Sequence, residues 1–238
     1  MNRKSKKINA FTLAEVLITL GVIGVVAAMT LPTLIQNYKK HEVETKLAKF
    51  YTVMNQAVTR AEAVYGDKKE WGAIGNGFEL DENGNPDRTK SIPKAWFDKY
   101  LKPYLNVVDE AVSVDGRALV TFSDGSFTVI SSDAIIYYTD KKYYKEVLND
   151  NGTGYIDESR AGINLFQFAM WPTWQASVLH YGKGVEPYAY RWNGTIEHLK
   201  NASWGGCYNT NASPRGVYCA KLIQLNGWKI PKDYPLKF

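Results

Sequence analysis

Residues 11–31, FTLAEVLITLGVIGVVAAMTL, form an apolar run of twenty-one residues that contains one charge, Glu15. As a helix this run spans about 32 Å at 1.5 Å per residue, which matches a bilayer core of about 30 Å. It follows MNRKSKKINA, a short segment with Arg3, Lys4, Lys6 and Lys7 and no acid. Basic residues on one flank of a span hold that end in the cytoplasm, so the chain is expected to cross the inner membrane once and to export the rest. The same four cations account for all but one unit of the +5 net charge. The remainder, at +1, offers no broad basic surface for phosphates, and no nucleic-acid contact is expected from it.

The helical pattern continues past the apolar run. After Pro32, residues Val43, Leu47, Phe50, Met54, Ala57, Ala61 and Val64 recur every three or four positions, and no Gly or Pro lies between Thr33 and Tyr65. This spacing predicts one long helix from Phe11 to about Tyr65, with residues 11–31 in the membrane, kinked near Pro32 and stopped by Gly66.

Three readings compete for this N-terminus: a plain membrane anchor, a secretory signal peptide cut after Val26-Ala27-Ala28, and a leader that a dedicated peptidase removes. Glu15 separates them. A lone charged acid in an apolar span costs a few kcal/mol to insert. Neither an anchor nor a signal peptide gains from it, whereas a subunit whose neighbour offers a free amine does. The segment Ala10-Phe11-Thr12-Leu13-Ala14-Glu15-Val16-Leu17 resembles the cleavage and methylation motif of type IV prepilins and type II secretion pseudopilins. That resemblance implies cutting between Ala10 and Phe11 by a prepilin peptidase and methylation of the new amine. It implies a structural subunit of a type IV pilus or a pseudopilus, with other pilin or pseudopilin subunits and an inner-membrane assembly platform as partners. Glu15 then stands fifth in the mature chain, as the family's acid does, and serves assembly. Pro32 falls where many pilins carry a kinking proline. The family usually has Gly before the cut, and this chain has Ala10. The alternative function is a minor pilin that acts as an adhesin or binding module at a fibre tip.

The expected fold class is α+β and type IV pilin-like: residues 1–10 as leader, 11–65 as long helix, and 66–238 as an exported domain. Its second helical half packs on an antiparallel sheet, and the C-terminal part is irregular. Gly66 to Lys94 is rich in Gly, Asn and Asp and reads as loop. Trp96 to Leu105 reads as a short helix ended near Pro103. Ala118–Phe122 and Ser126–Ile130 flank Ser123-Asp124-Gly125 as a hairpin, and Ile135–Tyr138 is a further strand.

Cys207 and Cys219 are not spaced for a redox or zinc motif. An even cysteine count in an exported chain predicts a disulfide, with two free buried thiols as the alternative. The stretch Asn149–Glu158 is similar to half of an EF-hand loop, with Asp150, Asn151 and Asp157 as candidate calcium ligands, but Arg160 stands where the last acid would be. A second such stretch is Asp81–Asp87. No other cofactor is expected. The aromatic group Phe166, Phe168, Trp171, Trp174, Tyr181, Tyr188, Tyr190 and Trp192 reads as core, with a sugar- or partner-binding face as the other reading. The sequons at Asn193, Asn201 and Asn211 read as chance. His41-Glu42 lacks the second histidine of a zincin, His180 and His198 show no ligand spacing, and no nucleophile elbow, P-loop or dinucleotide fingerprint occurs, so no enzyme is expected.

Overall fold

The computed structural model describes residues 12–132, 134–149, 154–170, 183–209, 211–212 and 214–238. Helix α1 runs from Leu13 to Tyr65 and passes through Pro32 without a break. Gly66 ends it at φ +79°, where its N–H still reaches Glu62 O. Only glycine enters that left-handed conformation at no steric cost, and it is a common helix stop. The chain divides into two compact units, Met1–His41 and Glu42–Phe238.

The second unit is an antiparallel sheet with a helix on one face. Its strands are β1 (Phe78–Leu80), β2 (Pro86–Ser91), β3 (Val107–Val112), β4 (Ala118–Phe122), β5 (Phe127–Ile130), β6 (Ile135–Tyr138), β7 (Glu146–Leu148), β8 (Gly154–Ile156), β9 (Leu165–Met170) and β10 (Val185–Pro187). Six strands form the main sheet in the order β10-β9-β6-β5-β4-β3, every pair antiparallel. This is a meander, with the β7–β8 hairpin inserted between β6 and β9. β1 and β2 make a separate hairpin, followed by α2 (Ile92–Tyr100). Two short helices, α3 (Ile196–Asn201) and α4 (Cys219–Leu225), lie near the C-terminus.

The helical stripe read from the sequence is the stripe that is buried. Val43, Leu47, Phe50, Met54, Ala57 and Ala61 are buried together with Val58, while Val64 is 65% exposed. Phe50 sits among the sheet's rings, its centroid 4.2 Å from Tyr137 and 4.9 Å from Phe168. The opposite face of the sheet is covered too. Leu119, Phe127, Val129, Ile136, Tyr138 and Leu165 form a second cluster beneath Ala161, Tyr143, Tyr144 and Ile156. Strands buried on both faces lose the alternation of a half-exposed strand, which is why Ile135–Tyr138 is apolar throughout and Leu165–Met170 is broken only by Gln167.

Several expectations are corrected. Gly66–Lys94 is not all loop, since β1 and β2 pair within it across a turn in which Asp81 Oδ1 accepts from the N–H groups of Asn83 and Asn85. The short helix begins at Ile92 rather than Trp96 and ends at Tyr100. Ser91 Oγ accepts from Lys94 N at 3.1 Å as its cap, and Pro93 sits in the first turn, where a missing N–H costs nothing. The C-terminal part is less irregular than expected, with β9, β10, α3 and α4 all ordered around the core.

Both edges of the main sheet are closed to further strands. On β10, Asn55 of α1 donates to Val185 O at 2.8 Å and accepts from Val185 N at 3.0 Å, occupying the groups another strand would use. Gly184 leaves room for it, as a Cβ there would lie 2.3 Å from Asn55 Oδ1. On β3 the register shifts between Val107 and Asp109, and charges follow at Asp109 and Glu110. A bulge and charged residues on an edge oppose strand addition.

Candidate assembly and processing site

The first turn of α1 is built by its own side chains. Thr12 precedes the helix and Glu15 is its third residue. Glu15 Oε2 accepts from both Thr12 N and Thr12 Oγ1 at 2.8 Å, and Glu15 N donates to Thr12 Oγ1 at 3.3 Å. This is the reciprocal capping box of a Thr-x-x-Glu sequence, which satisfies N–H groups that a helix start leaves without partners. The sequence reading gave Glu15 only an intermolecular role and missed this local one. The signal was present in the spacing of Thr12 and Glu15. A cut before Phe11 would leave Thr12 N as an amide, so the box would survive it. Ala10 and Phe11 lie outside the described residues.

From Leu13 to Ile35 the apolar side chains of the helix point into open space, with Leu13, Leu17, Ile18, Leu20, Ile23 and Met29 each more than half exposed. Among the described residues this is the one helix long and apolar enough to cross a membrane. Two hydroxyls bond back to the helix: Thr19 donates to the carbonyls of Glu15 and Val16, and Thr30 to that of Val26. Gly21 and Gly24 have nothing within 4 Å of an added Cβ, so another backbone can approach there closely.

The cysteines are joined. Cys207 and Cys219 form a disulfide with Cα atoms 4.9 Å apart, and both are buried. Tyr234 packs against the bridge, its hydroxyl donating to Gly162 O at 2.6 Å with its oxygen 3.4 Å from Cys207 Sγ. Burial pushes the Tyr234 phenol far above its ordinary value.

Of the candidate calcium ligands, Asp150 and Asn151 lie outside the described residues. Asp157 caps a short helical turn, accepting from Ser159 N at 2.9 Å. Among the described residues no group of three or more His, Cys, Asp or Glu side chains converges on a metal position. Phe166, Phe168 and Tyr188 are buried in the core, and Tyr190 and Trp192 pack against it. Trp171, Trp174 and Tyr181 lie outside the described residues.

Two concavities of the second unit lie among the described residues. One, of about 540 Å³, lies on the far face of the sheet and is lined in part by Asn76, Arg117, Ser131, Glu158 and Gln167. Arg117 is held there by a bidentate pair with Asp115 and by Gly154 O. Burial pushes the Glu158 carboxyl up, against the opposing pull of the Arg215 N–H and charge. The other, of about 210 Å³, is a groove between α1 and the end of β4, lined by Lys49, Phe50, Val53, Arg60, Tyr104 and Phe122 among others.

No curated protein and no solved structure matches the chain. Residues 33–238 match a family of unknown function, DUF6613. The match begins just after Pro32, leaving out residues 1–32, and it takes in the whole of the second unit. Because it covers most of the sequence, the chain belongs to the DUF6613 family of unknown function.

Proposed function

We propose that this protein is a structural subunit of a type IV pilus or of a type II secretion-type pseudopilus, cut before Phe11 by a prepilin peptidase and assembled through its N-terminal helix. The observation that carries the reading is the division of labour along α1. Its first part is apolar, exposed and interrupted by a single acid at Glu15, while its second part buries one stripe against an antiparallel sheet. A subunit that must be held in a membrane and later packed among neighbouring helices needs an uncovered apolar segment joined to a self-sufficient domain. The capping box gives Glu15 a use within one chain, and the pairing of its charge with a neighbour's amine is the added role that the proposal requires.

N-terminal analysis of protein taken from the cell envelope tests the reading. The expected mature chain starts at Phe11. A start at Met29, after Val26-Ala27-Ala28, would assign the cut to signal peptidase and end the pilin proposal.

The cavity of about 540 Å³ favours one second reading, a binding module at a fibre tip. Its size lies within the range of small-molecule sites, and its amide, hydroxyl and carboxyl groups suit a polar ligand.

A further inference from the structure

We infer that the groove beside α1 and the tip of the β1–β2 hairpin are the two halves of one head-to-tail contact between copies of this chain. The inference rests on the fibre reading and deepens it by naming the surfaces that meet.

The groove offers an apolar floor with one uncompensated positive charge at its rim. Phe50, Val53 and Phe122 line the floor, and Lys49 and Arg60 flank it. Lys49 is paired with Asp124 at 2.6 Å, but the side chain of the exposed Arg60 has no hydrogen bond or ion pair among the described residues. The hairpin tip offers the complement. Between Phe78 and Asp87 the chain reads Glu79-Leu80-Asp81-Glu82-Asn83-Gly84-Asn85-Pro86, with three acids and no cation. Leu80 stands 65% exposed among them, and Glu82 likewise has no partner among the described residues. Seating Leu80 on the floor removes its apolar surface from water and brings Glu82 to Arg60.

The two surfaces cannot meet within one copy. The hairpin is fixed at the start of β4: Arg88 donates to Val114 O at 3.2 Å, and Gly116, at φ +86°, lies so close to Gly77 that a Cβ would sit 2.5 Å from its backbone. The groove lies at the other end of β4, beside Phe122, Ser123 and Asp124. Five strand residues separate these ends by about 13 Å. A second copy can bring its hairpin to the first copy's groove. Such a contact joins unlike surfaces, so it can pass from copy to copy, and it builds a filament where the rotation between copies does not close. Strand addition is the usual competitor, and Asn55 on β10 and the bulge on β3 oppose it.

The test is cross-linking of the full chain in its native host, with Val53→Cys and Leu80→Cys combined and a mild oxidant added. Cys207 and Cys219 are buried and already joined, so they do not compete. The expected result is a ladder of disulfide-linked multimers from the double variant and no product from either single variant. Dimers from Leu80→Cys alone would make the contact symmetric and overturn the inference. So would a double variant that multimerises under an amine-reactive cross-linker yet gives no disulfide ladder. A chain that yields no multimers with the amine-reactive reagent refutes the fibre reading itself, and the contact with it. In the double-cysteine background, Arg60→Glu or Glu82→Lys should each deplete the ladder severalfold, and the two together should restore it. Failure to restore overturns the assigned pairing.

Discussion

At Glu15 two roles coincide in one side chain, and they can be separated chemically. As the third residue of α1 it closes the capping box with Thr12, a role that glutamine also fills. As a charge in an apolar run it is costly unless a partner offsets it. Glu15→Gln therefore keeps the cap and removes the charge, while Glu15→Leu removes both. If pairing with a neighbour's amine drives assembly, both variants should be inserted and cleaved yet be absent from fibres purified from the cell surface. A Glu15→Gln chain that enters fibres as the parent does, while Glu15→Leu does not, would reduce Glu15 to a helix cap. Asn55 is a second residue with a defined task. It holds both backbone groups of Val185 at the edge of the sheet. Asn55→Ala leaves both groups without these partners, and should cost about 1–3 kcal/mol in denaturant unfolding.

Among the elements, the C-terminal segment depends most on a covalent link. The Cys207–Cys219 bridge closes a loop whose ends lie under Tyr234 and against Gly162. Closure of a loop of this length is worth about 3 kcal/mol in the chain-entropy account, so Cys207→Ser/Cys219→Ser should lower unfolding free energy by about that much. Because both sulfurs are buried, the bond itself is best checked by thiol labelling in denaturant without reductant, where the expected label is zero. The turn between β4 and β5 carries a pH-dependent contribution. Burial raises the Asp124 carboxyl, but bonds from Lys49 and Ser126 outweigh it and leave the group below its ordinary 3.8. A carboxylate held low adds stability above the unfolded value and loses it as the pH falls through the lower folded value. Asp124→Asn should flatten that acid limb of a stability–pH curve. How much of these elements could be read from the sequence followed burial. The stripe of α1 and the β4–β5 hairpin were legible because one face or one turn set a clean period. β9 is not legible as a strand, because Leu165–Met170 is covered on both sides and has no alternation, so only its rings Phe166 and Phe168 read as core. β3 was missed because its edge position carries Asp109 and Glu110, which oppose strand propensity while protecting the sheet. The β1–β2 hairpin was hidden by the Asn and Gly residues that make its turn. The capping box is legible in the spacing of Thr12 and Glu15, while the charge of Glu15 in an apolar run points to a partner outside the chain.

Across the whole molecule, cohesion is uneven along the sequence. Among the described residues every buried side chain lies at Val43 or beyond, and Glu42–Phe238 forms a compact unit with its own core, its own disulfide and protected sheet edges. The apolar segment before it buries nothing of itself. A domain's stability comes mainly from apolar area removed from water, so residues that bury none contribute little to it. The prediction is that residues 42–238, produced without the first 41, fold cooperatively, and that their thermal midpoint equals that of the full chain in detergent within the error of the scan. Leu47→Ala in the same fragment supplies the contrast. Leu47 is completely buried in the helix stripe, and its truncation should cost about 2–5 kcal/mol. If the fragment melted without a cooperative transition, or as early as its Leu47→Ala variant, the N-terminal segment would be part of the folding unit. Glu15 variants could then act through the stability of the domain, and their assembly defects would no longer report on contacts between subunits.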